Sequence, residues 1–206
     1  MDASWLRGTL LVLSGYLLGS IPFGIFVAKA FDRDVDLRKT GSGNIGATNV
    51  ARTLGRGAGI LTLALDAGKG ILALALARRF LDPSAHHWFA LVGGAVFLGH
   101  IFPVYLRFKG GKGVAVALGV VLFLSPETAF VIVVLFAAVL YFTRYVSLSS
   151  LSAAVGLPVA MAFLGKSRHY VTLALVMAFL VIYTHRENIH RLLSGQENRV
   201  GGPPGK

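Results

Sequence analysis

The 206 residues are 55% hydrophobic and only 14% charged, with mean hydropathy +0.70, values that exclude an ordinary soluble domain. No cysteine is present, so a disulfide framework, a thiolate metal site and a cysteine nucleophile are excluded as well. The net charge of +11 comes from 20 Lys and Arg in short loops between apolar stretches, which reads as topology signals and anion ligands, not as a nucleic-acid surface.

An apolar segment needs about twenty residues to cross a bilayer as a helix, because lipid cannot satisfy a bare backbone. Seven segments are drawn in chain order: Thr9–Ala28, Ala58–Ala77, Trp88–Leu106, Val114–Leu124, Ala129–Thr143, Leu148–Leu164 and Tyr170–Tyr183. Ala28-Lys29-Ala30 has the small residues of a signal-peptidase site, but Asp2 cancels Arg7 ahead of it and the run is long for a signal core, so a retained first span is expected. The fourth and fifth segments are short. Joined, they would form one helix of about 45 Å against about 30 Å of hydrocarbon, with Ser125-Pro126-Glu127 at its middle, so a tight turn is expected there.

Charge supports this count. With the N-terminus outside, the inner segments carry thirteen Lys and Arg (Arg33, Arg38, Lys39, Arg52, Arg56, Arg107, Lys109, Lys112, Arg144, Arg186, Arg191, Arg199, Lys206) and the outer ones five (Arg7, Arg78, Arg79, Lys166, Arg168). Merging spans four and five weakens the split to ten against eight. The expectation is an all-α, polytopic membrane protein of seven transmembrane helices with a cytoplasmic C-terminus. Residues 1–206 form a single membrane domain, with an unstructured tail over about 200–206.

Polar chemistry gathers in the inner loops. The first reads Gly41-Ser42-Gly43-Asn44-Ile45-Gly46-Ala47-Thr48-Asn49, followed by Arg52. Small residues let backbone amides approach an oxyanion, Ser42, Asn44, Thr48 and Asn49 add hydrogen bonds, and Arg52 offers a fork for phosphate. A plain connector would explain the Gly and Ser but not the two Asn, the Thr and the Arg. The second loop, Phe108-Lys109-Gly110-Gly111-Lys112-Gly113, runs straight into the fourth span, placing amides and Lys112 at a helix N-terminus where phosphate binds. It is not a Walker A loop, since Val114 stands where a Ser or Thr would hold Mg²⁺.

Asp66 and Lys69 lie one turn apart inside an apolar span, where they are expected to pair, either as a structural bridge or with a substrate role. Gly68 and Gly70 would allow close packing there, and Gly15 with Gly19 reads as a packing face of the first span. His100 lies near the inner end of the third span. His185 closes the seventh, and Asn188 is expected on the same helical face.

SGNIGATN with Arg52, DAGKG at Asp66–Gly70, GHIFPVYLRFKGGKGVA from Gly99 and HRENIHRLLSGQENRVG from His185 closely resemble the PlsY family of acyl-phosphate:glycerol-3-phosphate acyltransferases over essentially the whole chain. The resemblance implies a multi-pass enzyme of the bacterial inner membrane, active at the cytoplasmic face. It would move a fatty acyl group from acyl phosphate to the sn-1 hydroxyl of glycerol 3-phosphate, giving lysophosphatidic acid and phosphate in the first step of phospholipid synthesis. It implies catalytic roles for Ser42, Arg52, Lys112, His185 and Asn188. Substrate or phosphate binding would fall to Gly43, Asn44, Gly46, Thr48, Asn49, Asp66, Lys69, His100, Gly110, Gly111 and Gly113. Direct attack of the substrate hydroxyl is implied, without a covalent acyl-enzyme, cofactor or metal, and with the glycerol phosphate itself available to accept the proton. The ligands would be acyl phosphate, glycerol 3-phosphate and membrane lipid, and a fitting protein partner would be the enzyme supplying acyl phosphate. Val116 stands where the family often has Thr, so no hydroxyl role is implied there.

The chemistry of the residues agrees with this. Acyl phosphate is an activated mixed anhydride, so orientation and charge stabilisation by Arg52, Lys112 and loop amides can carry most of the work. None of the six His has Asp five positions on, so the H-x-x-x-x-D general-base motif of unrelated glycerolipid acyltransferases is absent. Two other classes compete. An anion or phosphate-ester transporter would use Asp66 and Lys69 along a pathway, but should distribute polar groups across the membrane and not on one side. A lipid-binding scaffold explains the Lys and Arg but leaves the Ser42 loop without a purpose.

Overall fold

The computed structural model describes residues 3–202, and among these there are helices and turns but no strand. Met1, Asp2 and the end of the expected tail, Pro203 to Lys206, lie outside the described residues. The chain forms two compact units, one running to Leu124 and the other beginning at Ser125.

The first unit contains α1 (Ala3–Gly19), α2 (Phe23–Phe31), α3 (Ala47–Leu54), α4 (Arg56–Phe80), α5 (His86–Ile101) and α6 (Val114–Leu124). The expected uninterrupted span Thr9–Ala28 is instead broken between α1 and α2. Pro22 has no amide hydrogen and disfavours helix at the residue before it, so the ladder stops. The Ile21 carbonyl released by the break accepts a hydrogen bond from Lys69 Nζ at 3.0 Å, the internal satisfaction that a membrane interior requires.

Glycines set the closest helix contacts. The Gly15 and Gly19 face of α1 docks on α5: a Cβ on Gly15 would stand 3.3 Å from the Val92 carbonyl oxygen, and one on Gly19 would overlap the Val96 carbonyl. Helix α4 meets α6 in the same way at Gly70, where a Cβ would lie 2.9 Å from the Val116 oxygen. Gly68 has open space beside it, so only Gly70 of the expected pair serves packing.

Helix α3 is a further departure, because residues 47–54 fall within the expected first inner loop. The segment is amphipathic, its Asn49 and Val50 amides bond to the Gly46 carbonyl, and Gly55, at φ +93°, reverses the chain directly into α4. Val50 and Ala58 then share a buried cluster with Val27, Ala28 and Leu37. This cluster fastens α2, the loop and α3 to the start of α4.

The second unit contains α7 (Pro126–Thr143), α8 (Val146–Phe163), α9 (Arg168–Thr184) and α10 (Arg186–Leu193). The helix is interrupted at Ser125, within the expected Ser125-Pro126-Glu127 segment. Ser125 caps α7 by accepting from the Thr128 amide at 3.3 Å, and Pro126 occupies the first turn, where its missing amide costs nothing. Glu127 pairs with Lys166 within this unit. At His185 the chain bends by 59° between α9 and α10, so His185 and Asn188 flank a corner and do not share the face of one continuous helix.

Five stretches are long and apolar enough to cross a membrane (Ser4–Phe31, Arg56–Phe80, His86–Leu106, Pro126–Thr143 and Val146–Phe163), and a sixth is reached if α9 and α10 count together. Helix α6 has 11 residues, about 16 Å of length, well short of about 30 Å of hydrocarbon. Length alone therefore does not reach seven.

Candidate active site

In the first unit, the Ser42 loop is shaped by a side chain. Asn49 is buried, its Oδ1 accepts from the Ser42 amide at 2.8 Å, and its Nδ2 donates to the carbonyls of Leu37 (3.1 Å) and Thr40 (3.0 Å). The carboxamide is thereby engaged with three backbone groups of its own loop, which it frames. Gly41, at φ +56°, passes so close that a Cβ would overlap Asn49 Oδ1, and the same Cβ would stand 3.6 Å from Arg52 Cδ. Arg52 thus lies beside the Ser42 loop, exposed on α3, while Ser42 and Asn44 are half-buried and Thr48 is exposed. The Asn44 Oδ1 accepts from the Gly46 amide at 3.3 Å, tightening the entry to α3.

The Gly110–Gly113 loop lies next to it. Arg38 Nη2 donates to the Lys109 carbonyl at 2.9 Å, joining the two loops. Ahead of the second loop, Arg107 (φ 52°) and Phe108 (φ 61°) both adopt the left-handed conformation. Such backbone costs non-glycine residues of order 1–3 kcal/mol each and persists where the surroundings over-determine it. Here the Phe108 and Lys109 amides bond back to the carbonyls of Pro103 (2.9 Å) and Leu106 (3.2 Å), and those of Gly110 and Gly111 to Ile101 (3.1 Å) and His100 (3.0 Å). Lys112 is half-buried at the entry to α6.

Behind the loop stands a buried charge cluster. Lys69 Nζ lies 2.9 Å from Asp66 Oδ1, 3.0 Å from His100 Nδ1 and 3.0 Å from the Ile21 carbonyl oxygen, with the Phe23 ring at 5.7 Å. His100 Nδ1 also stands 3.5 Å from Asp66 Oδ1, so the three side chains form one cluster. The expected Asp66–Lys69 pair is present. His100 as its third member was not foreseen from local spacing.

In the second unit, His185 is buried and its Nδ1 donates to the Val181 carbonyl at 2.8 Å, which fixes the orientation of the ring. Asn188 is buried and donates through Nδ2 to Glu197 Oε1 at 2.8 Å. Glu197 also accepts from Ser147 Oγ (3.1 Å) and, on Oε2, from Arg191 Nε (2.8 Å). Glu197 thus ties Ser147, Asn188 and Arg191 together, a role that motif spacing alone does not assign. Its signal was an acid placed between Arg191 and Arg199 in an otherwise basic tail.

A family model described as glycerol-3-phosphate acyltransferase matches residues 9–195. The chain belongs to the glycerol-3-phosphate acyltransferase family. Its relatives include the glycerol-3-phosphate acyltransferase of Geotalea daltonii, 50% identical over 91% of this chain and 95% of the relative, and that of Geobacter sulfurreducens, 48% identical over 94% and 98%. Among solved structures, it is similar to the crystal structure of PlsY, an integral membrane glycerol 3-phosphate acyltransferase, in its glycerol 3-phosphate form: TM-score 0.89, 43% identity, covering 94% of this chain and 96% of that one. The lysophosphatidic acid form of PlsY matches with TM-score 0.87 at 42% identity. Membership of this acyltransferase family agrees with the all-helical, membrane-spanning architecture and disfavours the transporter reading.

Proposed function

We propose that this protein moves a fatty acyl group from acyl phosphate to the sn-1 hydroxyl of glycerol 3-phosphate, as an enzyme of the bacterial inner membrane working at its cytoplasmic face. The observation that carries the reading is the junction of two phosphate-suited loops, the Ser42 loop with Arg52 and the Gly110–Gly113 loop with Lys112, joined by Arg38. The similarity to PlsY in forms named for glycerol 3-phosphate and lysophosphatidic acid supports the acceptor and the product.

In this reaction the glycerol hydroxyl oxygen attacks the acyl carbonyl carbon, the carbon–oxygen bond to phosphate breaks, and inorganic phosphate leaves with the electron pair. The hydroxyl proton passes to a phosphate oxygen, so the chain needs no strong base. Arg52 supplies a planar fork and Lys112 a compact charge for the two phosphates. The Ser42 hydroxyl offers a donor to charge developing on the carbonyl oxygen. Roles for His185 and Asn188 rest on the family motif. The His185 ring is oriented by Val181, and Asn188 by Glu197. We further propose seven spans with the N-terminus outside, the short α6 being the fourth, on the strength of the loop-charge asymmetry.

The test is phosphate release by purified, detergent-solubilised protein given palmitoyl phosphate, with and without glycerol 3-phosphate, with acyl-CoA as comparison donor. Release that requires both substrates, with lysophosphatidic acid as co-product, is expected. Folded protein that turns over neither donor overturns the proposal.

A further inference from the structure

We propose that His100, anchored by Lys69 and Asp66, is a positioning residue that sets the Gly110–Gly113 loop for phosphate, an inference that rests on the phosphate-binding reading of that loop. Two contacts converge on Gly111. Its amide donates to the His100 carbonyl at 3.0 Å, and the edge of the His100 ring lies where a side chain would begin, so that a Cβ on Gly111 would overlap Nε2 and stand 3.0 Å from Cε1. Gly111 has no positive φ, so its backbone accepts any residue, and the ring alone excludes a Cβ. His100 therefore grips this residue from the main chain and from the side chain at once, immediately before Lys112.

The ring is itself fixed. His100 is buried, and its opposite nitrogen is held by Lys69, which is held in turn by Asp66 and by the carbonyl freed at the Pro22 break. A buried ion pair is weak evidence for a stabilising role, because apolar residues of equal volume often hold a fold as well or better. An ion pair in an apolar helix whose third member presses on a phosphate-suited loop has a mechanical use: it transmits a fixed position from α4 to the loop through one rigid ring. Lys112, which follows directly, is then presented to phosphate without ordering on binding, which lowers the KM of the phosphate-bearing substrate held there.

The test compares variants in the phosphate-release assay on full-length protein in detergent, with thermal unfolding followed in parallel. His100→Asn keeps an amide acceptor for Lys69 but removes the ring edge at Gly111. It is expected to unfold near the wild-type temperature while raising KM for at least one of the two phosphate substrates by about tenfold, with kcat within about threefold. A double-mutant cycle supplies the second arm. Gly111→Ala alone is expected to lower kcat/KM by about tenfold or more, and in the His100→Ala background to cost less than about threefold, because the ring it would strike is gone. Kinetics of His100→Asn indistinguishable from wild type, or effects of Gly111→Ala and His100→Ala that simply add, overturn the positioning role. Folded wild-type protein that turns over no acyl phosphate overturns the acyltransferase reading beneath it, so the two failures are distinguishable.

Discussion

Asn49 is the most economical place to disturb the first phosphate loop, because one carboxamide fixes three backbone groups within it. Its Oδ1 holds the Ser42 amide at 2.8 Å, and its Nδ2 holds Leu37 and Thr40 carbonyls at 3.1 and 3.0 Å, at 1% exposure. A neutral hydrogen bond contributes about 1 kcal/mol net, and a buried group left unpaired costs about 1–3 kcal/mol, so Asn49→Ala should loosen the loop by about 3–5 kcal/mol. If the loop must be ordered before chemistry, even 3 kcal/mol corresponds to about 100-fold in kcat/KM, at about 1.4 kcal/mol per tenfold. Asn49→Asp separates framing from mere polarity. It keeps an acceptor for Ser42 but sets a second carboxylate oxygen against two carbonyls, so it should be at least as damaging as Ala although it is nearly isosteric. The measurement is phosphate release with both substrates varied, on protein whose helical circular dichroism matches wild type. An Asp variant that keeps more than about one-third of wild-type kcat/KM would refute the framing role.

Three other outcomes follow from named contacts. Gly70→Ala should lower the thermal unfolding temperature, by overpacking worth about 1–3 kcal/mol, since its Cβ would stand 2.9 Å from Val116 O and 3.1 Å from Val120 N; Gly68→Ala, with open space, should be neutral or stabilising, and a shift of both in the same direction would count against the α4–α6 contact. Glu197→Gln removes the charge-assisted bond to Arg191, worth about 1.5–3 kcal/mol where well buried, and should speed hydrogen exchange of the Val200 amide, bonded to the Arg144 carbonyl, by about tenfold or more; unchanged exchange would show the Glu197 strap to be independent of its charge. The chain has no cysteine, so Lys39→Cys and Pro83→Cys each give one reactive thiol on an exposed loop, and a membrane-impermeant maleimide on intact cells should label position 83 but position 39 only after lysis; the reverse pattern would overturn the proposed orientation.

What was legible in the sequence was local, and what was not depended on distant neighbours. Apolar runs announced the long helices, Ser125-Pro126 announced a start with its cap, and Gly15-x-x-x-Gly19 announced the α1–α5 crossing, because each signal lies within one or two helical turns. The break at Ile21-Pro22 was written in the sequence too, but membrane helices tolerate proline when a neighbour satisfies the freed carbonyl, and here that neighbour is Lys69, 48 residues away. Helix α3 was hidden because eight residues are too few for a period to show, and Thr48 and Asn49 favour turns when read alone.

The same division runs through the candidate site. Ser42, Arg52 and Lys112 could be named from residue type and loop composition, since hydroxyl, guanidinium and ammonium groups in glycine-rich loops announce phosphate wherever they occur. The groups that hold those loops could not be assigned in that way: Asn49 looks like one more polar ligand until its three backbone partners are seen, and His100 looks like a solitary packing histidine until Lys69 is found on one ring nitrogen and Gly111 against the other. A framing residue and a binding residue use the same side chains, and they differ in what already occupies their polar atoms. The Asn49 and His100 variants test that distinction directly, because a binding group should tolerate a substitution that keeps its reach to substrate, whereas a framing group should tolerate only one that keeps its reach to the loop.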